Sequence, residues 1–225
     1  MSAEAKLDFA VLLASSVHDM KNSIALIMHQ INQLPPQSSD SGVDVGHLQL
    51  EANRLNNSLI QLMMLYKVEN QQYQSLPDEH YLDEFIEDVV LMNQPTLEPW
   101  GIEIEQQVDP ELCWTFDKNL VVGVLGNIVT NVIRYARSKV LIQVRERDGN
   151  LSLVVEDDGP GYPEQMLGEL QKCRMGVDFG SGSTGFGLYF SVLVAEHHRQ
   201  GDRYGQVRLS NGGQLGGGCF ELILP

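Results

Sequence analysis

The run His18-Asp19-Met20-Lys21-Asn22 sets an imidazole, a carboxylate and an amide within about one helical turn. On a helix, His18 and Asn22 are four positions apart and share a face. An exposed neutral imidazole is a nucleophile at physiological pH. Asp19 can orient or deprotonate the ring, and the Asn22 amide can hold a water. A surface histidine is more often a plain solvated side chain, and the other five, at positions 29, 47, 80, 197 and 198, are read that way.

A second group lies further along. Asn127 and Asn131 share a helix face in Leu125-Gly126-Asn127-Ile128-Val129-Thr130-Asn131, with Arg134 and Tyr135 one turn on. Two neutral oxygen donors can meet a hydrated Mg²⁺ and phosphate oxygens, while a basic side chain balances charge. A merely polar helix face has the same pattern. Asp157-Asp158-Gly159-Pro160-Gly161 offers a carboxylate for an exocyclic amine beside glycines that let backbone approach a ring, or else it is a simple turn. Gly180 to Leu188, including Thr184, Gly185 and Gly187, leads into a helix and so presents backbone amides and a positive helix end to phosphates. One glycine-rich loop is a weak signal, but three elements in this order, behind an exposed histidine, are a strong one.

The elements that must carry these residues fall into two parts. Leu13, Val17, Met20, Ile24, Ile27, Ile31 and Leu34 alternate spacings of four and three, the seam of a helix packed at a shallow angle. Pro35 and Pro36 stop it, Gln37 to Gly42 is turn chemistry, and Leu48, Ala52, Leu55, Leu59, Leu62 and Tyr66 repeat the alternation. Residues 1–75 therefore read as a helical hairpin. His18 follows a seam residue, which places it on the flank. A lone hairpin leaves much of both seams wet, so a homodimeric four-helix bundle through residues 5–70 is expected. The other arrangement folds the hairpin back onto its own second domain.

Residues 76–225 read as an α/β sandwich. Helices are predicted over Tyr81 to Leu91, Lys118 to Arg137 with Asp117 as N-cap, and about Gly185 to Gln200. Strands are predicted at Ile102 to Val108, Cys113 to Phe116, Lys139 to Arg147, Leu151 to Glu156, Gln206 to Ser210 and Cys219 to Leu224. Asp148-Gly149-Asn150 marks a tight hairpin between two of them.

Composition narrows the function classes. The 225 residues are 43% hydrophobic and 7% aromatic, a globular rather than disordered balance. Acidic residues outnumber basic ones 30 to 15, which repels phosphate backbones and argues against nucleic-acid binding. Cys113, Cys173 and Cys219 have neither disulfide-framework nor zinc spacing, which favours a reduced, cytoplasmic setting. No apolar run approaches the roughly 20 residues a membrane span needs, and no secretory signal is seen at the start, so no membrane partner is expected.

With these residues in place, the chain resembles the catalytic core of a two-component sensor histidine kinase. His18 to Asn22 is similar to the phospho-acceptor box, Asn127 to Tyr135 to the N box, Asp157 to Gly161 to the first glycine box and Thr184 to Leu188 to the second. The resemblance implies a dimerisation and phosphotransfer hairpin followed by a Bergerat ATP-binding fold. It implies that His18 accepts the γ-phosphoryl group of ATP, that Asp19 acts as base or orienter, and that Asn22 positions water to dephosphorylate a partner. It further implies that Asn131 ligands Mg²⁺ with Asn127 beside it, Arg134 meets phosphates, Tyr135 packs near the base and Asp157 reads the adenine amine. The expected partner is the receiver domain of a response regulator. Because only 17 residues precede His18, the expectation is either a separate sensor protein in trans or a fragment of a longer protein. Ser183 stands where the second glycine box begins, a departure from the pattern. A histidine phosphotransferase, or a regulator phosphatase without kinase activity, is the competing reading.

Overall fold

The computed structural model describes residues 19, 20, 23, 27, 54, 55, 57, 58, 60–62, 64–68, 73–169 and 186–225. His18, Asn22, Thr184 and Gly185 lie outside the described residues, as does most of the first half of the expected hairpin. The chain divides into two compact units, Met1–Tyr73 with Asp178–Phe186, and Gln74–Val177 with Gly187–Pro225. In the first unit Asp19, Met20, Ser23 and Ile27 are helical, as are the described positions between 54 and 68. Leu55 and Leu62 of the expected seam are half-buried and Tyr66 is exposed, whereas Gln61 and Leu65 are buried.

The second unit begins with β1 (Asp78–Tyr81), α1 (Leu82–Leu97), a single 3-10 turn, β2 (Glu103–Val108), β3 (Cys113–Phe116) and α2 (Lys118–Tyr135). It continues through β4 (Lys139–Arg147), β5 (Asn150–Asp157), α3 (Glu164–Glu169) and α4 (Phe186–His197). The short pair β6 (Arg199–Gln200) and β7 (Arg203–Tyr204) precedes β8 (Gln206–Asn211) and β9 (Gly218–Leu224). Five strands form the main sheet in the order β2-β4-β5-β9-β8. The sheet is mixed: β2 runs parallel to β4, and the other neighbours are antiparallel. Asp148 and Gly149 both have positive φ, the type I′ geometry that a two-residue link between β4 and β5 requires.

Alternation along the strands separates two faces. Opposed across β4, β5 and β9, Ile142, Val155 and Phe220 form one row, and Val144, Leu153 and Leu222 the next. All six are buried. The opposite face carries Gln143, Ser152, Glu156 and Glu221, with Ser152 donating to Glu221 Oε1 at 2.6 Å. α2 covers the apolar face with a broad buried stripe that includes Leu120, Val124, Leu125, Ile128, Val129 and Val132.

Three sequence-based boundaries shift, each for a local reason. The helix expected to reach Arg137 stops at Tyr135, because Ala136 is extended and the amides of Arg137 and Ser138 turn to Asp158. The helix expected to reach Gln200 stops at His197, where Arg199 and Gln200 pair with Tyr204 and Arg203 instead. The helix expected over Tyr81 to Leu91 begins at Leu82, because Asp78–Tyr81 forms a strand that pairs with β3, and it runs on to Leu97.

Asp117 caps α2 as expected, its Oδ1 accepting from the amides of Asn119 and Leu120. Its Oδ2 also accepts from the Leu76 amide at 3.0 Å and the Ser75 hydroxyl at 3.4 Å, so one buried carboxylate fixes both a helix start and the strand that enters the unit. The Asp117 amide donates to His198 Nε2 at 3.1 Å, and His198 Nδ1 donates to the Val194 carbonyl. His198 is thus no solvated histidine. Burial holds its imidazole below the ordinary 6.5, with the neighbouring His197 acting in the same direction. The folded state therefore keeps the ring neutral, and stability that is full above pH 6.5 falls as the unfolded chain takes up the proton first. The denaturation midpoint is expected to drop between pH 7 and 5. In His198→Gln, whose side chain offers an acceptor that does not titrate, that slope flattens; a slope unchanged in the variant would place the responsible proton elsewhere.

Candidate functional site

Four stretches that are remote in sequence converge at one end of the second unit. Asn127 and Asn131 occupy successive turns of α2; Asn131 is exposed, and Asn127 is half-buried. The Asn127 Nδ2 atom is fully shielded and has no hydrogen-bond partner. An amide donor left without a partner inside a protein costs roughly 1–3 kcal/mol, so it marks a place where an acceptor belongs. Beside it lies Gly187 at the start of α4, where any side chain would overlap the Asn127 amide. Arg134 and Tyr135 follow in the last turn of α2, both exposed.

The second junction joins the end of α2 to the turn after β5. A Cβ on Gly159 would overlap the Tyr135 carbonyl oxygen, so the chain there must lack a side chain to run under the helix end. The strand alternation then gives three consecutive acidic residues three separate jobs. Glu156, on the outer face, accepts from the amides of Gln214 and Leu215 and pins the link between β8 and β9. Asp157 continues the inner row, and its Oδ1 accepts from Gly159 at 2.8 Å and from Gly218 at 3.2 Å. Both of those bonds fall on one oxygen, which leaves Oδ2 to a further donor. Asp158 accepts from the amides of Arg137 and Ser138 and from the Ser138 hydroxyl at 2.8 Å. Burial alone would raise the Asp158 carboxyl, but these donors overcome it and bring it down to about 2.

Tyr162 belongs to this cluster although no sequence motif pointed to it. Its ring lies against Gly218, where a Cβ would stand 3.1 Å from Cε2. Burial, then the charge of Asp157, pushes the phenol above its ordinary range, so it remains protonated. A tyrosine directly after Gly159-Pro160-Gly161 looks like any turn residue; only the folded chain puts it beside the carboxylate.

Of the sequence-derived residues, Asn127, Asn131, Arg134, Tyr135, Asp157, Gly159, Gly161, Gly187 and Leu188 belong to these converging segments. Asp19 is a half-buried helical residue of the first unit. Among the described residues no group of three histidine, cysteine or acidic side chains could hold a metal ion. The side chains of Asn127 and Asn131 carry neutral amide oxygens, a donor type that suits Mg²⁺ in company with phosphate oxygens.

The unit is an α/β sandwich in which a mixed sheet carries a helix whose Asn127 lies against Gly187 and whose Tyr135 carbonyl lies against Gly159. Residues 116–225 match the family described as Histidine kinase-, DNA gyrase B-, and HSP90-like ATPase. The Sensor protein PhoQ of Escherichia coli K12 is 30% identical over 123 residues, which is 55% of this chain and 24% of that protein. The Virulence sensor histidine kinase PhoQ of Salmonella typhimurium is 28% identical over the same length. The matched region thus spans about a quarter of these curated relatives. Among solved structures, the Acinetobacter baumannii histidine kinase AdeS aligns with a TM-score of 0.64 at 19% identity, over 92% of this chain and 96% of that one. The histidine kinase ThkA, in complex with the response regulator protein TrrA, aligns at 0.59 and 19% identity over 95% of this chain and 60% of that one. Residues 116–225, just under half of the chain, thus match this ATPase family, and the chain shares the fold of these histidine kinase structures.

The close approaches at the two glycines are directly testable. Gly159→Ala forces the end of α2 to move and is expected to cost about 1–3 kcal/mol in chemical denaturation, whereas Gly187→Ala displaces the Asn127 amide and should cost less. Substitution at Gly126, which has nothing within 4 Å, supplies the control, since Gly126→Ala should be neutral or stabilising.

Proposed function

We propose that the chain is an ATP-dependent protein-histidine kinase of a two-component system, phosphorylating His18 and passing the group to an aspartate of a response regulator. The observation that carries this reading is the junction of Asn127 with Gly187 and of Tyr135 with Gly159, which unites the N box with both glycine boxes. The orphaned Asn127 amide supports it further, since a phosphate-bearing ligand brings the missing acceptors.

The roles follow from residue chemistry. Residues 76–225 bind the nucleotide: Asp157 Oδ2 accepts from the adenine amine, Tyr135 packs near the base, and Arg134 meets phosphates. The backbone of Gly187 and Leu188 in the first turn of α4, with that of Thr184 and Gly185 just before it in the sequence, would meet the phosphate chain. Asn131 holds Mg²⁺, with Asn127 beside it. When bound, Mg²⁺ neutralises charge on the phosphate oxygens. Residues 1–75 supply the acceptor as a helical hairpin, paired with a second copy in a four-helix bundle. Neutral His18 presents the lone pair of Nε2 to the γ-phosphorus while Asp19 holds the Nδ1 proton. The new N–P bond forms as the bond to the ADP oxygen breaks. Asn127 is an amide and cannot deprotonate water, which favours transfer to histidine over hydrolysis of ATP. Asn22 holds the water that removes phosphate from the regulator's aspartate. A cytoplasmic location completes the reading, supported by the cysteine spacing.

Incubation with γ-labelled ATP and Mg²⁺ is expected to leave acid-labile, base-stable label on the chain. His18→Ala should abolish the label and retain ATP binding, while Asn131→Ala should lose most of it, on the order of a hundredfold. Label that survives His18→Ala would overturn the assignment of the acceptor. Asn22→Ala should slow dephosphorylation of the regulator and leave autophosphorylation intact.

A further inference from the structure

The turn that carries Asp157 is held from outside by a side chain that no sequence motif includes. Asn211, the last residue of β8, is 49 positions from Tyr162 in the chain, yet its amide spans that residue's backbone. The Tyr162 amide donates to Asn211 Oδ1 at 2.6 Å, and Asn211 Nδ2 donates to the Tyr162 carbonyl at 2.8 Å. A carboxamide carries a donor nitrogen and an acceptor oxygen in a single plane, so it can satisfy both backbone groups of one residue, as a neighbouring strand would. A carboxylate or a hydroxyl placed there cannot donate and accept in the same way.

Two further features fit Asn211 to this place. Gly161 has φ +83, and a Cβ on it would stand 2.7 Å from Asn211 Oδ1, so the glycine makes room for the clamp. The backbone of Asn211 also pairs in register with Gly218, whose amide donates to Asp157 Oδ1. One residue therefore reaches the turn by two routes, through its side chain to Tyr162 and through its strand partner to Asp157.

We infer that Asn211 is a positioning residue for recognition of the nucleotide base: it fixes the Asp157–Tyr162 turn so that the Asp157 carboxylate and the Tyr162 ring are set before the base arrives. The inference rests on the ATP reading above. Without the clamp, Tyr162 and the turn must be ordered when the nucleotide binds, and that ordering weakens affinity. The loss falls on the base that Asp157 reads, so it weighs more on adenine, which has the exocyclic amine donor, than on guanine, which presents a carbonyl at that position.

Calorimetry of the full chain with ATP and with GTP tests this. Asn211→Ala is expected to raise the Kd for ATP about fivefold, the value of roughly one net hydrogen bond. The Kd for GTP should change less, so that the preference for ATP narrows, and the melting temperature without nucleotide should change little. Asn211→Asp keeps the acceptor for the Tyr162 amide but sets a carboxylate oxygen against its carbonyl, so its Kd for ATP should rise at least as much as in Asn211→Ala. If Asn211→Ala does not fold, Asn211→Asp carries the test alone. Unchanged ATP affinity in the variants, or equal weakening of ATP and GTP, overturns the positioning role. An unaltered chain that binds no ATP overturns the nucleotide reading, and this inference with it.

Discussion

The candidate site exists because two helices approach backbone where no Cβ intervenes. Gly187 lies against the Asn127 amide, and Gly159 lies under the carbonyl of Tyr135. Both contacts involve α2, which is anchored to the sheet by a buried apolar stripe and so has little freedom to withdraw. The sheet fixes the helix, and the helix, through the two glycines, fixes the turn after β5 and the start of α4. Remote motifs share one location as a result of this packing.

Electrostatic detail depends on that frame. At the end of β5 the pleat sends Glu156, Asp157 and Asp158 to different surroundings, and hydrogen bonding settles the task of each. Glu156 and Asp158 are spent on backbone amides of neighbouring links, which closes the loops around the site. Asp157, between them, keeps one oxygen outside the bonds to Gly159 and Gly218. Three adjacent carboxylates in an acidic chain thereby become two structural clamps and one group turned toward the site.

At the far end of α2 a similar economy operates. Asp117 starts the helix, holds the entering segment at Ser75 and Leu76, and through its own amide engages His198 beyond the end of α4. A change in the protonation of one imidazole would remove an acceptor at a point where three segments meet. Just below neutrality the second unit's acid sensitivity draws on this buried ring, and at lower pH also on Asp158, whose carboxyl is held at about 2.

The chain's local patterns determined the long elements of the second unit on their own, but not the short β1, α3, β6 and β7, whose few residues carry no periodic pattern. Period-two alternation, the Asp148-Gly149 turn and the Asp117 cap are properties of neighbouring residues, so strands, hairpin and helix start were all legible without the fold. The motif residues Asn127, Asn131, Asp157, Gly159 and Gly187 were legible for the same reason, since their types and spacings are local. The parallel pairing of β2 with β4 was not, because strand order depends on which edges meet after α1 and α2 have packed. Nor were the burial of His198, the place of Tyr162 or the grip of Asn211 on a residue 49 positions away. Each of these is a contact between distant segments, and hydrogen-bond geometry between distant segments is decided only when the core brings them to the same point.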